Sequence, residues 1–152
     1  MEVASRVSDV VRAPPGRPIL LATLGVPFDP EASAFAVDAA VEAGQPLIVA
    51  NFVELLPLAM SFQLGYDDLP DAPEDEQALR APAQLARSLG VRAEQLRVKS
   101  PRPVAALLQV VAERRPSLLV FGPDRSRLGR RLYRKAARSV REHVTCLVWL
   151  AP

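Results

Sequence analysis

The sequence predicts an α/β fold: a three-layer sandwich in which helices cover both faces of a five-stranded parallel sheet. The first observation is a set of short, continuous apolar runs, a pattern typical of strands that are buried on both faces. The second is their strict alternation with segments of helical periodicity, as in repeated βαβ units. With five strands and right-handed crossovers, the common arrangement reverses direction between strands one and four and gives the order 3-2-1-4-5.

The first strand, first helix and second strand are clearly delimited. Residues 19–24 and 47–53 are continuous apolar runs. Between them, Asp29 and Pro30 are typical of a helix start, as N-cap and first helical residue, and Gly44 is typical of a helix end. The apolar residues that recur at helical spacing are Ala32, Phe35, Ala36, Ala39, Ala40 and Ala43.

A long segment without clear periodicity follows. Residues 54–74 mix apolar and acidic residues with several prolines, so we predict a loop that is functional or mobile. The next helix ends near Ser88 and contains Pro82, so it either begins near this proline or bends there.

The second half of the chain continues the alternation. Residues 91–98 form the most polar strand, which favours a place at a sheet edge. A helix follows Pro103, with Val104, Leu107, Leu108 and Val111 on one apolar face. Residues 117–121 and 146–150 are the fourth and fifth strands, and residues 130–143 are the fourth helix. The predicted buried face of that helix comprises Leu132, Tyr133, Ala136, Ala137 and Val140.

The composition is that of one globular domain. A chain of 152 residues, 49% of them hydrophobic, is long enough for a sizeable core. We predict a flexible tail over residues 1–17 and a single domain over residues 18–152. One cysteine excludes a disulfide framework within the chain, and no apolar stretch suits a signal peptide or a membrane span. We therefore expect a cytoplasmic protein without membrane contact.

The charge is small in total but unevenly distributed. The net charge of +2 does not by itself indicate nucleic-acid binding, and we expect no nucleic-acid partner. Acidic residues cluster between Asp67 and Glu76, whereas residues 125–141 contain eight basic residues and no acid. A small anionic ligand near the basic segment is consistent with this distribution.

The predicted strand order creates a crevice between the carboxyl ends of strands one and four, where sheets of this kind bind ligands. The residues predicted to line it are Thr23, Leu24, Gly25, Val26, Gly122, Asp124, Arg125, Ser126, Arg127 and Lys135. The sequence contains no metal-binding spacing, Walker loop or nucleophile elbow, so we predict neither a metal site nor catalytic residues.

Several segments between residues 18 and 150 together resemble the universal stress protein family. They are Pro-Ile-Leu-Leu-Ala from residue 18, Leu-Ala-Arg-Ser-Leu-Gly-Val from residue 85, Ser-Leu-Leu-Val-Phe-Gly from residue 117 and His-Val-Thr-Cys-Leu-Val from residue 143. The last is similar to the family's His-Ala-Pro-Cys-Pro-Val ending. The resemblance implies an adenine-nucleotide-binding-like fold, a role in stress response and, as in many members, dimerisation through the last strand. Some members bind ATP and others do not.

The segment after strand four departs from the motif of ATP-binding members, Gly-x2-Gly-x9-Gly-Ser/Thr. Gly122 occupies the first glycine position, but Arg125 occupies the second and the third falls near residues 134–135. Pro123 also lacks a backbone N–H. The family's aspartate after strand one is replaced as well, since Thr-Leu-Gly-Val stands at residues 23–26. These departures imply loss of standard ATP binding.

Two interpretations of the basic residues stay open. Side chains of Arg125, Arg127, Arg130, Arg131, Arg134 and Lys135 could hold phosphates in place of backbone amides, and arginine does so bidentately. Alternatively, the cations occupy the solvated face of an amphipathic helix, which is the favoured interpretation for Arg134, Arg138 and Arg141.

The final predicted strand indicates a homodimer. Nothing later in the sequence covers its outer edge, and its residues are Cys146, Leu147, Val148, Trp149 and Leu150. A two-fold partner that pairs with this strand would cover the edge, and Trp149 would either pack inside or anchor the interface.

The sequence thus favours a non-enzymatic binding or interaction protein that needs no cofactor. The alternative is a nucleotide-binding protein, which could act as a weak ATPase, in which arginine side chains hold ATP or AMP. An enzyme of another chemistry is disfavoured because His, Cys and acidic residues do not cluster in the sequence around a recognisable motif.

Overall fold

The predicted architecture is confirmed in the computed structural model, which describes residues 17–55 and 73–151. The five strands form one parallel sheet with the order β3-β2-β1-β4-β5. The elements are β1 (Ile19–Thr23), α1 (Pro30–Ala43), β2 (Leu47–Glu54), α2 (Pro73–Ser88), β3 (Ala93–Ser100), α3 (Pro103–Arg114), β4 (Leu118–Phe121), α4 (Arg130–His143) and β5 (Leu147–Leu150). The central strands are therefore β1 and β4.

The sheet is buried on both faces, which explains the continuous apolar runs. Alternate residues of β1 point in opposite directions: Ile19 and Leu21 pack with α1 and α2, whereas Leu20 and Ala22 pack with α3 and α4. These β1 residues are at most 2% exposed. A strand in this position needs apolar side chains at every residue.

The helix signals around α1 act as expected. Asp29 is the N-cap, and its Oδ2 accepts a 3.2 Å hydrogen bond from the N–H of Ala32. Pro30 occupies the first turn, and Gly44 ends the helix in the left-handed conformation, with φ of 65°.

Several predicted boundaries shift. The third strand occupies Ala93–Ser100 rather than residues 91–98, and it is an edge strand as expected. The fourth and fifth strands each begin one residue later than predicted. Pro82 neither starts nor ends α2, which runs from Pro73 to Ser88 with the proline buried inside it.

Two helix faces differ from the sequence pattern. Leu132 is not part of the buried face of α4, since it is 48% exposed, whereas the other four predicted residues are buried. Phe35 on α1 belongs to the predicted apolar face but is 38% exposed. Helical spacing gives an apolar sector, but the neighbouring elements determine how wide the buried sector is.

The predicted loop over residues 54–74 and the predicted tail over residues 1–17 lie almost entirely outside the described residues. Within the described part of the chain, no helix combines the length and the hydropathy needed to cross a membrane.

Candidate functional site at the sheet switch point

The loops that leave β1 and β4 are joined to each other by backbone contacts. Phe28 and Pro123 form an antiparallel bridge. The N–H of Asp29 donates to the carbonyl of Gly122 at 2.9 Å, and the N–H of Asp124 donates to the carbonyl of Pro27 at 2.9 Å. The two loops therefore meet over the strand ends instead of standing apart.

The loop after β1 is fixed by its own polar groups. Thr23, which is buried, donates its hydroxyl to the carbonyl of Val26 at 2.8 Å. Gly25 has φ of 71°, a left-handed conformation that favours glycine, and its N–H donates to Oδ1 of Asn51 at 2.8 Å. Leu24 is buried in the core cluster beside α4. The predicted crevice residues of this loop thus engage groups within the protein.

Gly122, the one retained motif glycine, is required by packing. A Cβ at this position would overlap the Cβ of Ala32 on α1. Glycine therefore allows the first turn of α1 to approach the end of β4 closely, and this requirement exists without any nucleotide.

The loop after β4 has few backbone donors left for a phosphate. Pro123 has no N–H. Five N–H groups donate within the protein: Gly122 to Ala22 O (3.0 Å), Asp124 to Pro27 O (2.9 Å), Ser126 to Asp124 Oδ1 (3.0 Å), and Arg127 and Leu128 to Asp124 O (3.0 and 3.1 Å). A glycine-rich phosphate loop works by leaving such groups available.

Asp124 organises this turn and gives it a negative charge. Its Oδ1 accepts hydrogen bonds from both the hydroxyl of Ser126, at 2.6 Å, and the N–H of Ser126. These bonds, with a smaller contribution from the Arg127 cation, lower the pKa of the Asp124 carboxyl below its ordinary value. The carboxylate is therefore ionised at neutral pH and disfavours a phosphate beside it.

Arg125 is held against an aromatic ring. Its guanidinium lies 4.2 Å from the ring centroid of Tyr133, which stacks in turn on Phe121 at 5.8 Å. The Tyr133 hydroxyl donates to the carbonyl of Ala151 at 2.7 Å. Burial raises the pKa of Tyr133 above its ordinary value, against smaller opposing effects of Arg125 and Arg141. The arginine thus has a cation–π partner within the protein.

Lys135 does not reach the strand ends. It lies two positions after Tyr133, a rotation of about 200° around the helix, and Tyr133 faces the sheet. Lys135 is accordingly exposed on the outer side of α4. Arg127 is also exposed but lies in the loop itself, close enough to Asp124 to affect its pKa.

The outer side of α4 carries a set of exposed cations that we call the basic face of α4: Arg130, Arg131, Arg134, Lys135, Arg138 and Arg141. The N-cap residue of the helix is Gly129, which has no side chain to cap it, and the first turn contains no acidic residue. Cations at a helix N-terminus typically cost about 0.3–1 kcal/mol each, and like charges four residues apart cost about 0.2–0.5 kcal/mol. The charge pattern at the start of α4 therefore opposes the stability of the helix.

Three residues that sequence reasoning did not assign to the site are central to its geometry. Asn51 and Phe28 connect the β1 loop to its neighbours, and Tyr133 supports Arg125. Asn51 could have been noticed as the one polar residue in the apolar run of residues 47–53. Nothing local in the sequence marks the other two, because their partners come from distant parts of the chain.

A separate cleft of about 810 Å³ lies between the first half of α1 and the middle of α2. It is lined by Pro27, Phe28, Pro30, Ser33, Ala34, Gln77, Ala78, Ala81, Pro82 and Leu85. None of the ten residues predicted to line the crevice contributes to it.

The edge formed by β5 is the second predicted site. Leu147 is 75% exposed, whereas Trp149 is half-buried and stacks on Phe35 with ring centroids 5.0 Å apart. Cys146 precedes the strand and is half-buried, and burial raises the pKa of its thiol. The ring of Trp149 thus packs on α1 near the sheet edge, and its role in an interface stays a prediction.

Among residues 17–55 and 73–151, no group of three or more His, Cys, Asp or Glu side chains is arranged to hold a metal ion.

Comparisons with known proteins agree with the fold. The universal stress protein family model matches residues 16–152. A family member from Burkholderia pseudomallei is 18% identical, with a TM-score of 0.64 over 92% of this chain and 98% of that one. A universal stress protein from Archaeoglobus fulgidus in complex with dAMP is 19% identical, with a TM-score of 0.60 over 88% of this chain and 96% of that one.

A universal stress protein in complex with cAMP is 20% identical, with a TM-score of 0.58 over 89% of this chain and 95% of that one. At such identities the likeness establishes the fold alone. No curated protein matches the sequence. The family model spans the whole described fold, including both strand ends of the switch point, and the chain belongs to the universal stress protein family.

Proposed function

We propose that this family member is a non-enzymatic binding or interaction protein that does not hold ATP in a backbone cradle. The observation that carries the proposal is the use of backbone donors after β4: five N–H groups between Gly122 and Leu128 already donate within the protein. To bind phosphates there, the turn around Asp124 would have to open and lose these bonds, each worth about 0.5–1.5 kcal/mol.

The side chains support the same conclusion. Asp124 places a negative charge in the turn, and Arg125 lies over the Tyr133 ring. A triphosphate would meet one repulsive group and one cation that is already engaged. Binding at this crevice is therefore expected to be weak.

The alternative is a nucleotide held by arginine side chains. Similar structures include universal stress proteins in complex with cAMP and with dAMP, so a monophosphate is the ligand class that best represents this alternative. Arg127 is exposed in the switch-point loop, and Arg125 would have to leave Tyr133 to assist it.

Calorimetric titration and thermal unfolding with ATP, ADP, AMP, cAMP and dAMP test the two functions. A ligand present at 100 times its Kd stabilises a protein by about 2.7 kcal/mol, which is easily seen as a rise in Tm. We expect no such rise with ATP at millimolar concentration. Low-micromolar ATP affinity would overturn the proposal, and binding that disappears in the Arg125→Ala, Arg127→Ala double variant would establish the alternative.

We further propose that the protein forms a homodimer through β5. This strand ends the sheet, and its exposed backbone and the side chain of Leu147 are available to a second copy. The aromatic pair of Phe35 and Trp149 lies beside the same edge and would extend the interface.

Sedimentation of the protein at roughly tens of micromolar, where modest interfaces assemble, tests the dimer. Leu147→Arg is the informative variant, because Leu147 is so exposed that the fold should tolerate the charge. Leu89→Arg is the matched control, since Leu89 is also an exposed leucine, 52% accessible, but lies after α2. Dissociation by Leu147→Arg alone is expected, and a monomeric unmodified protein would refute the interface.

A further inference from the structure

We propose that the basic face of α4 docks on the phosphate backbone of duplex nucleic acid. The proposal does not depend on nucleotide binding at the switch point, because the two sites use different residues. It rests on the charge, the exposure and the pairing of the six cations that define this face.

These cations are largely unpaired. Arg130, Arg131, Arg134 and Lys135 form no ion pair or side-chain hydrogen bond with the described residues. Arg138 pairs with Glu142 at 3.0 Å, but this pair is solvent-exposed and therefore weak. In α2, by contrast, Arg80 lies one turn after Glu76 and pairs with it. Four cations without such a partner among the described residues are thus concentrated on one helix.

The packing of α4 against the sheet directs its cations toward solvent. Tyr133, Ala136, Ala137 and Val140 are buried against the sheet, so the opposite side is held facing solvent. The 14 residues of α4 extend over about 21 Å. At 3.4 Å per base pair, that length matches about six base pairs of duplex backbone.

The chemistry of the face favours a polyphosphate backbone over a membrane or a protein partner. A helix that binds in a membrane surface inserts its apolar side, but the apolar side of α4 is buried in the core. A protein interface needs an apolar or aromatic centre, whereas the one large exposed hydrophobic residue of α4 is Leu132, about 130° from the middle of the basic face. Repeated guanidinium groups without an apolar centre match repeated phosphates.

The expected binding is independent of base sequence. The face offers cations, which we expect to contact phosphates, and no Asn or Gln side chain that could bind the edge of an adenine. The small net charge of the whole chain does not favour nucleic-acid binding. Residues 125–141, however, contain eight basic residues and no acidic residue. Segregation of charge, rather than its total, determines the local attraction.

Fluorescence anisotropy with a labelled mixed-sequence duplex of about 24 base pairs tests the proposal across salt concentrations. With about four phosphates neutralised, log affinity should fall with log salt at a slope of about −3.6, so binding weakens about 150-fold between 50 and 200 mM salt. The Arg131→Gln, Lys135→Gln double variant should bind at least about tenfold more weakly and reduce the slope by about 2.

The matched control is the Arg80→Gln, Arg92→Gln double variant, which removes the same charge from exposed residues outside α4. It should leave affinity and slope nearly unchanged. A second α4 pair, Arg134→Gln with Arg138→Gln, should repeat the loss, and circular dichroism and Tm should show that all variants fold.

Three results would overturn the proposal. They are the absence of duplex binding at low salt, an equal loss of affinity in the α4 and control variants, and tighter binding to phosphatidylserine vesicles than to duplex at matched charge. The second would mean that net charge alone acts, and the third would assign the face to a membrane.

Discussion

The switch-point loop after β4 and the outer side of α4 are neighbours along the chain, but they differ in whether their polar groups have partners within the protein. In the loop from Gly122 to Leu128, backbone donors and the carboxylate of Asp124 are engaged within the protein. On the basic face of α4, four cations have no partner among the described residues. The hydrogen-bonding groups of the loop thus stabilise the fold, whereas the cations of the basic face remain available to bind a partner.

This difference changes where function is to be sought. In a sheet of this order the crevice at the strand ends is the usual ligand site, but its geometry here stabilises the fold. The features that oppose stability lie elsewhere, in the uncapped, cation-rich start of α4 and in the exposed edge of β5. Groups that folding does not use are the better candidates for contact with partners.

Among the variants that test this difference, Gly122→Ala is expected to have the largest effect on the free energy of unfolding. The new methyl group would overlap the Cβ of Ala32, so α1 must shift, and we expect a loss of about 2–3 kcal/mol in the free energy of unfolding measured with urea. Gly129→Ala is the matched control, because a Cβ there meets nothing within 4 Å, and it should cost less than about 1 kcal/mol. Equal costs would show that Gly122 is not needed for packing.

Tyr133→Phe should have the next largest effect. It removes the hydrogen bond to the buried carbonyl of Ala151 while keeping the ring beneath Arg125, so we expect a loss of about 1–2 kcal/mol in urea unfolding. Ser88→Ala also removes a hydroxyl-to-carbonyl bond, but an exposed one, and should cost about 0.5 kcal/mol or less. A neutral Tyr133→Phe change would mean that the carbonyl finds another donor.

Arg131→Glu is expected to stabilise the protein by about 0.5–1 kcal/mol. It places a negative charge in the first turn of α4 and creates a favourable pair with Lys135 one turn later. Arg141→Glu in the last turn should act in the opposite direction, since it removes a cation from the helix C-terminus. Thermal unfolding measures both, and a lower Tm for Arg131→Glu would contradict the idea that this turn opposes stability.

Asp124→Asn should have the smallest effect, about 0.5 kcal/mol or less at neutral pH, because the turn is solvent-screened. The folded-state pKa of Asp124 lies below its ordinary value of 3.8, mainly because of its bonds to Ser126. Its ionised form therefore contributes full stability above pH 3.8, and the contribution is lost as pH falls through the folded-state pKa. Urea unfolding of both proteins from pH 6 downward should show the difference narrowing below pH 3.8, and a constant difference would contradict this origin.

The alternation of strands and helices, the strand order and the limits of α1 could be predicted from the sequence. These depend on signals within one element, such as the unbroken apolar run of β1 and the cap at Asp29. An unbroken run identifies a strand that is buried on both faces, and strict alternation leaves few topologies. The family could be recognised because its short segments occur in this same order.

The contacts of the individual site residues could not be predicted from the sequence, because they depend on tertiary packing. Gly122 serves packing against Ala32, Arg125 lies on Tyr133, and Asn51 holds Gly25, each through a contact between distant parts of the chain. Leu132 is exposed, although helical periodicity predicts it to be buried, because periodicity sets the direction of a side chain but not the extent of its neighbours. Local patterns fix the elements, whereas non-local packing fixes which polar groups remain free to act.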